Sequence, residues 1–276
     1  MKKIAILFSL FFLLTGCTTN QTQPNEKVPE QTDPDSGQNH FSEEIPAPYQ
    51  YSNDSVQIQI QPYEKRNVRY WISTIKVLNA EQLKSAFSNE TISLQKEKTS
   101  KIAGKNGAIL AVNGADVAFK SRSLVIRNGE MYRESFSPLE IRKDGTLFIG
   151  EGDRTAEDMK KDGVLHSFDF GPELIVDGKR SPYYEEAWYS DKPAPRTAIG
   201  QRTPHEYIII TVDGRSKESR GMTFRDLTAL FEELGAKWAY NLDGGGSTTL
   251  YFNGEVLNTP SDGSERPVSD ILYVEK

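Results

Sequence analysis

Apolar and polar residues alternate in short stretches over most of the chain after about residue 49. Residues 68–77 are rich in Val, Ile, Tyr and Trp, as expected of a half-buried strand. Asn-Gly or Asp-Gly pairs lie between such stretches, and each predicts a hairpin because both residues tolerate positive φ. The pairs begin at Asn128, Asp144, Asp177 and Asn253. Four hairpins favour antiparallel strand pairs over a doubly wound parallel sheet.

Helical periodicity is confined to three segments. The clearest helix begins after Thr223, which opens a capping box, and ends before Gly235. Further helices are predicted between residues 92 and 105 and over 156–161. The pattern therefore predicts a single α+β domain over residues 49–276, with mixed, largely antiparallel sheets and a few packed helices. Strand order does not follow from it.

The N-terminus has the pattern of a secretion signal. Residues 4–14 form an apolar run of eleven residues after two lysines, too short for a spanning helix, which needs roughly twenty. Leu14-Thr15-Gly16-Cys17 follows and resembles the bacterial lipobox, in which the cysteine is acylated. We therefore expect residues 1–17 to be a lipoprotein signal peptide. Lipidation at Cys17 would anchor the chain to the extracytoplasmic face of the cell membrane.

Composition supports this organisation. Cys17 is the only cysteine, so the chain cannot form an internal disulfide and its fold must be held together by its core. Residues 18–48 are mostly polar and cannot bury enough apolar surface to offset the entropy of ordering, which predicts a disordered tether. The net charge of -6 argues against a nucleic-acid partner, which would favour a basic surface.

The densest chemical signal is a glycine-rich loop between two predicted strands. Asp243 is followed by Gly244, Gly245, Gly246 and Ser247. Three consecutive glycines let backbone N–H groups approach a ligand closely, which suits an anion or sugar hydroxyls. The alternative is a flexible strand connection. The loop is not a P-loop, because it lacks the lysine.

Polar residues also mark the ends of other predicted strands. Asn113 follows residues 108–112, Asp213 and Arg215 follow 207–212, and Arg196 opens a further strand. Each has a local explanation as an Asx turn or a solvated strand end. Residues at strand ends on one sheet edge can also converge on a single cleft.

Several segments in this order resemble the phosphodiester glycosidase family, whose members remove a sugar from a sugar-1-phosphodiester and leave a phosphomonoester. They are Asn113-Gly114, Phe170-Gly171-Pro172, Arg196-Thr197-Ala198-Ile199-Gly200, Asp213-Gly214-Arg215, Gly221-Met222-Thr223, Asn241-Leu242-Asp243-Gly244-Gly245-Gly246-Ser247 and Glu265-Arg266-Pro267-Val268. The resemblance spans residues 108–274. It departs at Ala115-Asp116, where we expect a second glycine and then an aromatic residue.

The resemblance implies an extracytoplasmic hydrolase acting on a glycosyl phosphodiester of cell-envelope or extracellular polysaccharide. Arg196 and Arg215 would bind the phosphate, supplemented by backbone N–H groups of Gly244, Gly245, Gly246 and Ser247. Asp243 and Asp213 would stabilise the developing positive sugar or activate water, in roles that stay interchangeable. Asn113 and Asn241 would bind sugar hydroxyls or hold these carboxylates. No cofactor is required, but a divalent cation on Asp213 and Asp243 stays open.

The alternative function is a non-catalytic glycan-binding lipoprotein that assists exopolysaccharide or cell-wall assembly. Tyr183, Tyr184 and Trp188 could then form a sugar-stacking platform, or a hydrophobic cluster under a loop. Arg196, Asp213, Asn241 and Asp243 favour the enzyme, since stacking and neutral hydrogen bonds suffice for sugar binding. Whether they converge in one pocket is the discriminating observation.

Overall fold

The computed structural model of the chain describes residues 49–119, 123–135, 139–150, 154–182 and 192–276. The predictions for the signal peptide, Cys17 and the tether lie outside these residues, as do Tyr183, Tyr184 and Trp188. Within the described ranges, none of the helices has the length and apolar character needed to cross a membrane.

Strands dominate the described residues, and every strand pair in them is antiparallel. The strands are β1 (Tyr49–Ser52), β2 (Val56–Lys65), β3 (Val68–Val77), β4 (Leu83–Phe87), β5 (Ala108–Asn113), β6 (Val125–Arg127), β7 (Glu130–Arg133), β8 (Leu139–Arg142), β9 (Leu147–Ile149), β10 (Val164–Phe168), β11 (Glu173–Val176), β12 (Lys179–Arg180), β13 (Arg196–Thr203), β14 (Glu206–Val212), β15 (Trp238–Asn241), β16 (Leu250–Phe252), β17 (Glu255–Val256) and β18 (Asp270–Glu275). The α-helices are α1 (Thr99–Lys105), α2 (Ala156–Lys161) and α3 (Phe224–Glu233).

The strands of the described residues form two large sheets and two small ones. The larger sheet has the order β1-β2-β3-β14-β13-β15-β11-β12, and the second has the order β17-β16-β5-β18-β4. A three-stranded sheet, β10-β8-β9, and the β6-β7 hairpin complete the set. The order is far from sequential, because β13 to β15 insert between β3 and β11. This is why local patterns could not predict it.

The main hydrophobic core joins the large sheets and the three-stranded sheet. It contains Ile75 and Ile209 from the eight-stranded sheet, Val112 and Leu272 from the five-stranded sheet, and Ile141 from β8, all fully buried. Alternate residues of a strand point to opposite faces, so the eight-stranded sheet needs a second cover for its other apolar face. The amphipathic helix α3 supplies that cover.

The predicted single α+β domain with largely antiparallel sheets is confirmed. All four predicted turns join antiparallel neighbours. In the β6-β7 hairpin both Asn128 (φ 52°) and Gly129 (φ 82°) take the left-handed conformation that the turn requires. The capping box at Thr223 is also present, with the Thr223 side chain accepting from the Asp226 amide.

The helix predicted between residues 92 and 105 is present, but it occupies only the second half of that segment. The helix begins only at Thr99. Before it, Glu97 exchanges both backbone hydrogen bonds with Val268, at 3.1 Å and 2.7 Å. A backbone group used in this strand-like bridge cannot serve a helix. The long-range partner therefore shortens the helix at its N-terminal side.

Candidate active site

The glycine-rich loop lies where strands of both large sheets end. It follows β15 and contains Asp243 and a 3-10 turn, Gly245–Ser247, before β16 begins. The Asp243 amide donates to the Gly114 carbonyl just after β5 (3.2 Å), and the Gly245 amide donates to the Pro195 carbonyl just before β13 (3.0 Å). The loop therefore connects the end of a strand in one sheet with the start of a strand in the other.

The Asn113 side chain holds the loop against the strands of both sheets through three hydrogen bonds. The side chain is fully buried and its Nδ2 donates to the Asp243 carbonyl oxygen at 2.6 Å. Its Oδ1 accepts from the Thr197 hydroxyl (2.8 Å) and the Thr249 amide (3.3 Å). Of the two roles left open for Asn113, these contacts favour holding Asp243 in place over binding sugar hydroxyls.

Asp243 has the electrostatics of a group that exchanges protons near neutral pH. Its pKa is raised to about 6, chiefly because burial disfavours the charged form. Hydrogen bonds from the Ser247 side chain and the Gly244 backbone lower the pKa, whereas the like charge of Asp116 raises it and Arg266 lowers it. A carboxyl whose pKa approaches the working pH is suited to general acid or base catalysis.

Asp213 is the second predicted carboxylate, and it is held from several sides. It is 3% exposed at the end of β14. Its Oδ1 accepts from Asn258 Nδ2 (3.2 Å), and both oxygens accept from the Thr259 amide (3.0 and 3.1 Å). Burial raises its pKa to about 6 against these hydrogen bonds. Asn258 also donates to the Thr248 carbonyl (3.1 Å), so Asp213 is tied to the end of the glycine-rich loop.

Two guanidinium groups lie directly against the bare glycine backbone. A Cβ on Gly245 would be 3.1 Å from Arg215 Nη2, and a Cβ on Gly246 would overlap the Arg266 guanidinium and the Asp262 carboxylate. Arg266 is paired with Asp262 at 2.7 Å, and both side chains are substantially exposed. A side chain at Gly246 would therefore displace the Arg266–Asp262 pair, whereas one at Gly245 would crowd Arg215 by only a few tenths of an ångström, which gives Gly246 in particular a function beyond turn geometry.

Arg266 and Asp116 were not predicted as site residues. Arg266 lies in a segment that carried the family resemblance, and that was its only signal. Asp116 stands where the sequence departs from the family pattern. It adopts a left-handed φ of 49° and is held by Lys96 Nζ at 2.7 Å and the Ser269 hydroxyl at 3.1 Å. Its charge acts on Asp243.

Arg196 faces away from this cluster. Its Nε donates to the Met222 carbonyl (3.1 Å) and its Nη2 to the Lys192 carbonyl (3.0 Å), and its guanidinium stacks on the Phe224 ring at 3.8 Å. Thr197, the next residue, points to the opposite face and reaches Asn113. These contacts pin the start of β13 beside the loop, and a phosphate-binding role for Arg196 stays a prediction.

Asn241 is placed on the same face of the eight-stranded sheet as Arg196, because it pairs with Ala198. Its Nδ2 donates to the Gly171 carbonyl at 2.7 Å, and its Oδ1 is buried with no hydrogen-bond partner in the described part of the chain.

Of the predicted and newly found site residues, the structure brings Asp243, Arg215 and Arg266 together at the glycine-rich loop. Asp213 is linked to the end of this loop through Asn258.

A metal centre is not evident in the described ranges. No group of three or more His, Cys, Asp or Glu side chains there is arranged to hold a metal ion. A cation held by Asp213 and Asp243 would therefore need ligands from backbone oxygens or substrate.

Comparison with known proteins decides the family. The sequence model of the phosphodiester glycosidase family matches residues 106–275, more than half of the chain. The chain belongs to the phosphodiester glycosidase family. The matched range contains the glycine-rich loop, both carboxylates and both guanidinium groups described above.

Curated relatives match parts of this family member. A prophage-derived uncharacterized protein of Bacillus subtilis, YomE, is 33% identical over 190 residues, covering 65% of this chain and 30% of YomE. The mouse N-acetylglucosamine-1-phosphodiester alpha-N-acetylglucosaminidase is 36% identical over 67 residues, covering 24% of this chain and 13% of the mouse protein. The chain therefore matches less than a third of the length of these relatives.

Solved structures agree on the fold of this phosphodiester glycosidase family member. The catalytic domain of the zebrafish N-acetylglucosamine-1-phosphodiester alpha-N-acetylglucosaminidase has a TM-score of 0.64 at 20% identity, covering 85% of this chain and 86% of that one. A hypothetical protein from Synechocystis has a TM-score of 0.56 at 14% identity, covering 83% and 64%. At these identities the likeness shows the fold alone.

Proposed function

We propose that this chain is a hydrolase that cleaves the sugar C1–O–phosphate bond of a glycosyl phosphodiester in cell-envelope or extracellular polysaccharide. One observation carries the proposal: Asp243, a partly buried carboxyl whose pKa is raised to about 6, lies in a glycine-rich loop flanked by Arg215 and by the Arg266–Asp262 pair. A base beside two cations matches the charges of this reaction, in which the sugar becomes positive and the phosphate more negative.

The reaction balances with water alone. Water attacks C1, the C1–O bond breaks, and its electron pair stays on the phosphate oxygen, which leaves as a phosphomonoester. The guanidinium groups of Arg215 and Arg266 hold the phosphate and stabilise its growing charge. N–H groups of the glycine-rich loop add donors at the same place. Because a phosphomonoester is a good leaving group, no strong general acid is needed.

The two carboxylates take different parts in this mechanism. Asp243 lies beside the cations, and it accepts the proton of the attacking water or stabilises the positive sugar. Both oxygens of Asp213 already accept hydrogen bonds from the protein. Asp213 therefore acts through Asn258, as a positioning residue for the glycine-rich loop.

The setting of the reaction is part of the same proposal. Residues 1–17 support export and acylation at Cys17, and residues 18–48 support a tether that holds the domain away from the membrane. Incorporation of labelled palmitate that is lost in Cys17→Ser would support this location. An unlabelled wild-type chain recovered in the soluble fraction of cells would contradict it.

Hydrolysis of defined substrates tests the activity. The full chain in mild detergent is assayed on UDP-N-acetylglucosamine and a small panel of sugar-1-phosphodiesters, with and without EDTA. N-Acetylglucosamine is the first sugar to test because it appears in the names of two relatives. Release of a phosphomonoester supports the proposal, and EDTA decides whether a cation takes part. Glycan binding without turnover on any substrate would favour the non-catalytic alternative.

Gly246→Ala tests whether the bare loop holds the cations. The added Cβ overlaps Arg266 and Asp262, so the guanidinium must move from the loop. We expect KM for a phosphodiester to rise by about ten- to a hundredfold, the effect of one charge-assisted hydrogen bond. The control is Gly104→Ala, where nothing lies within 4 Å of the new Cβ. Equal KM values for both variants would exclude this role of the loop.

The fall of kcat/KM at low pH should reflect the protonation of Asp243. If ionised Asp243 is the base, kcat/KM rises with pH through about 6. Asp116→Asn removes a like charge, which favours the ionised form of Asp243, so the fall moves to lower pH. Complete pH profiles of both proteins measure this shift. A fall that stays in place, or moves to higher pH, would show that Asp116 does not act on the reacting group.

A further inference from the structure

A polar groove of about 450 Å³ runs along the edge strand β4, outside the candidate active site. Residues 85–90 form one side, and the end of α1, at Lys105 and Asn106, contributes to the other. Tyr132 of β7 and Tyr273 of β18 also line it. Its volume lies within the roughly 300–1,000 Å³ that is usual for small-molecule sites.

The groove presents an aromatic ring to solvent. The Tyr132 ring packs edge-on against Phe87, with centroids 4.8 Å apart and planes at 78°. Phe87 is 7% exposed, whereas Tyr132 is 36% exposed. Phe87 therefore fixes the position of Tyr132 and leaves part of the tyrosine ring open. The Tyr132 hydroxyl donates to Glu130 Oε2 (3.0 Å), so the part of the side chain open to a ligand is the ring, whose apolar face can stack on a sugar ring.

Amide and hydroxyl groups complete the lining, and they suit hydroxyl-rich ligands. Asn89 and Asn106 lie along the groove; Asn89 Nδ2 donates to the Gln95 carbonyl, as does the buried Ser88 hydroxyl, which leaves Asn89 Oδ1 as the acceptor for a ligand. The Asn106 side chain donates through Nδ2 to the Ile102 carbonyl at 2.8 Å. This bond fixes the side chain, while its Oδ1 can still accept from a ligand hydroxyl.

The charges of the groove argue for a neutral ligand. Its two cations are already paired, Lys105 with Glu97 and Arg127 with Asp270. Glu90 is exposed and adds a carboxylate, which can accept sugar hydroxyls but repels phosphate. The groove therefore differs in charge from the glycine-rich loop, where Arg215 lies against Gly245 beside the Arg266–Asp262 pair.

The groove and the candidate active site both reach the end of the five-stranded sheet at which β4 and β5 end and β18 begins. β5 ends at Asn113, which holds Asp243, and its neighbour β18 begins at Asp270. Asp270 pairs with Phe87 at the end of β4. Because adjacent strands lie about 4.8 Å apart, Phe87 is two strands, or roughly 10 Å, from Asn113 across the sheet.

A buried ion pair joins the two sites. Arg127, which lines the groove, donates to Asp270 at 2.9 Å, with both side chains essentially inaccessible. Asp270 in turn accepts from the Ala115 and Val117 amides at 3.4 and 3.3 Å, which fixes the turn that carries Asp116. The groove and the turn that carries Asp116 are thus linked by one buried, hydrogen-bonded ion pair.

We propose that this groove binds a neutral sugar segment of the same glycan chain whose phosphodiester is cleaved at the glycine-rich loop. The inference rests on the proposed function, which it deepens by specifying a polymeric substrate. A chain crossing the sheet edge places its phosphate between the cations and a neutral sugar against Tyr132. A short phosphodiester reaches only the glycine-rich loop.

Binding of a neutral oligosaccharide tests the groove separately from the reaction. The probe is the N-acetylglucosamine trimer, titrated into the full chain in mild detergent by calorimetry. We expect Tyr132→Ala to weaken binding about tenfold. Glu90→Gln, at an exposed position that leaves the fold intact, should weaken it by a smaller factor. The matched control is Tyr51→Ala, a tyrosine of β1 outside this groove. Unchanged affinity in both groove variants would overturn the proposal.

Kinetics on substrates of two lengths separates the two proposals. Tyr132→Ala should raise KM for a phosphodiester carrying an oligosaccharide about tenfold at unchanged kcat, and leave UDP-N-acetylglucosamine kinetics unchanged. Equal KM values for the long substrate in wild type and variant would refute the groove while the hydrolase stands. Tyr132-dependent trimer binding in a chain that hydrolyses nothing would establish the groove and refute the hydrolase.

Discussion

Replacing Asp243 with Asn is expected to lower kcat on a sugar-1-phosphodiester by roughly 10²–10⁴-fold, the usual contribution of a positioned acid or base. Asn has nearly the same shape and can still accept from Ser247, but it cannot take a proton or carry a charge. The loop should keep its position, because Asn113 contacts the Asp243 backbone and not its carboxylate. Steady-state kinetics of the purified variant measures the loss.

Stability separates loss of chemistry from loss of fold in this variant. Because the folded-state pKa of Asp243 is raised, ionisation of this carboxyl costs folding free energy, a penalty absent at low pH that is complete above about pH 6. At pH 7 Asp243→Asn should therefore unfold at the same or a higher denaturant concentration than wild type. A large drop in stability would mean that the kinetic loss reflects misfolding.

Asp177→Asn is the matched control. Asp177 has a φ of 49° in the β11-β12 turn, a conformation that Asn tolerates, and its side chain is exposed. Full activity is expected from this variant. If Asp243→Asn retained comparable activity, Asp243 would not be the reacting carboxyl, and Asp213 would become the candidate.

Local sequence signals predicted most of the elements because their causes are local. The Asn128-Gly129 turn needs two residues that tolerate positive φ, and the helix after Thr223 needs a cap and an apolar face. The start of α1 depends instead on a bridge between Glu97 and Val268, 171 positions apart in the sequence. No local pattern reports such a partner.

The candidate site shows the same division. The glycine-rich loop and Asp243 could be identified because three adjacent glycines are costly and therefore informative. The orientation of Arg196 could not be predicted. A strand residue can point to either face of its sheet, and the face is identified here only by the contact of Arg196 with Phe224 of α3. Asp116 could not be identified as a site residue from the sequence, because it lies near Asp243 only where the two large sheets meet.

The buried ion pair between Arg127 and Asp270 should contribute strongly to the free energy of unfolding. Asp270→Asn is expected to lower the free energy of unfolding by about 3–5 kcal/mol, since it leaves a buried guanidinium without a countercharge. Arg127 is 1% exposed, and its Nε already lacks an acceptor among the described residues. Urea denaturation measures the loss. Glu232→Gln, which breaks an exposed pair with Arg180, should cost less than about 1 kcal/mol.

A second substitution shows whether the cost arises from the unpaired charge. Arg127→Met keeps an apolar chain against Phe168, over which the guanidinium now lies at 4.4 Å, and removes the charge. The double variant Arg127→Met/Asp270→Asn should therefore be more stable than Asp270→Asn alone. If it were less stable, the other contacts of Arg127, its hydrogen bonds to the Ile126 and Ser167 carbonyls and its stacking on Phe168, would outweigh the cost of its unpaired charge. Because Asp270 also accepts from the Ala115 and Val117 amides, which fix the turn carrying Asp116, activity should fall in both variants that lack Asp270 even where the fold survives.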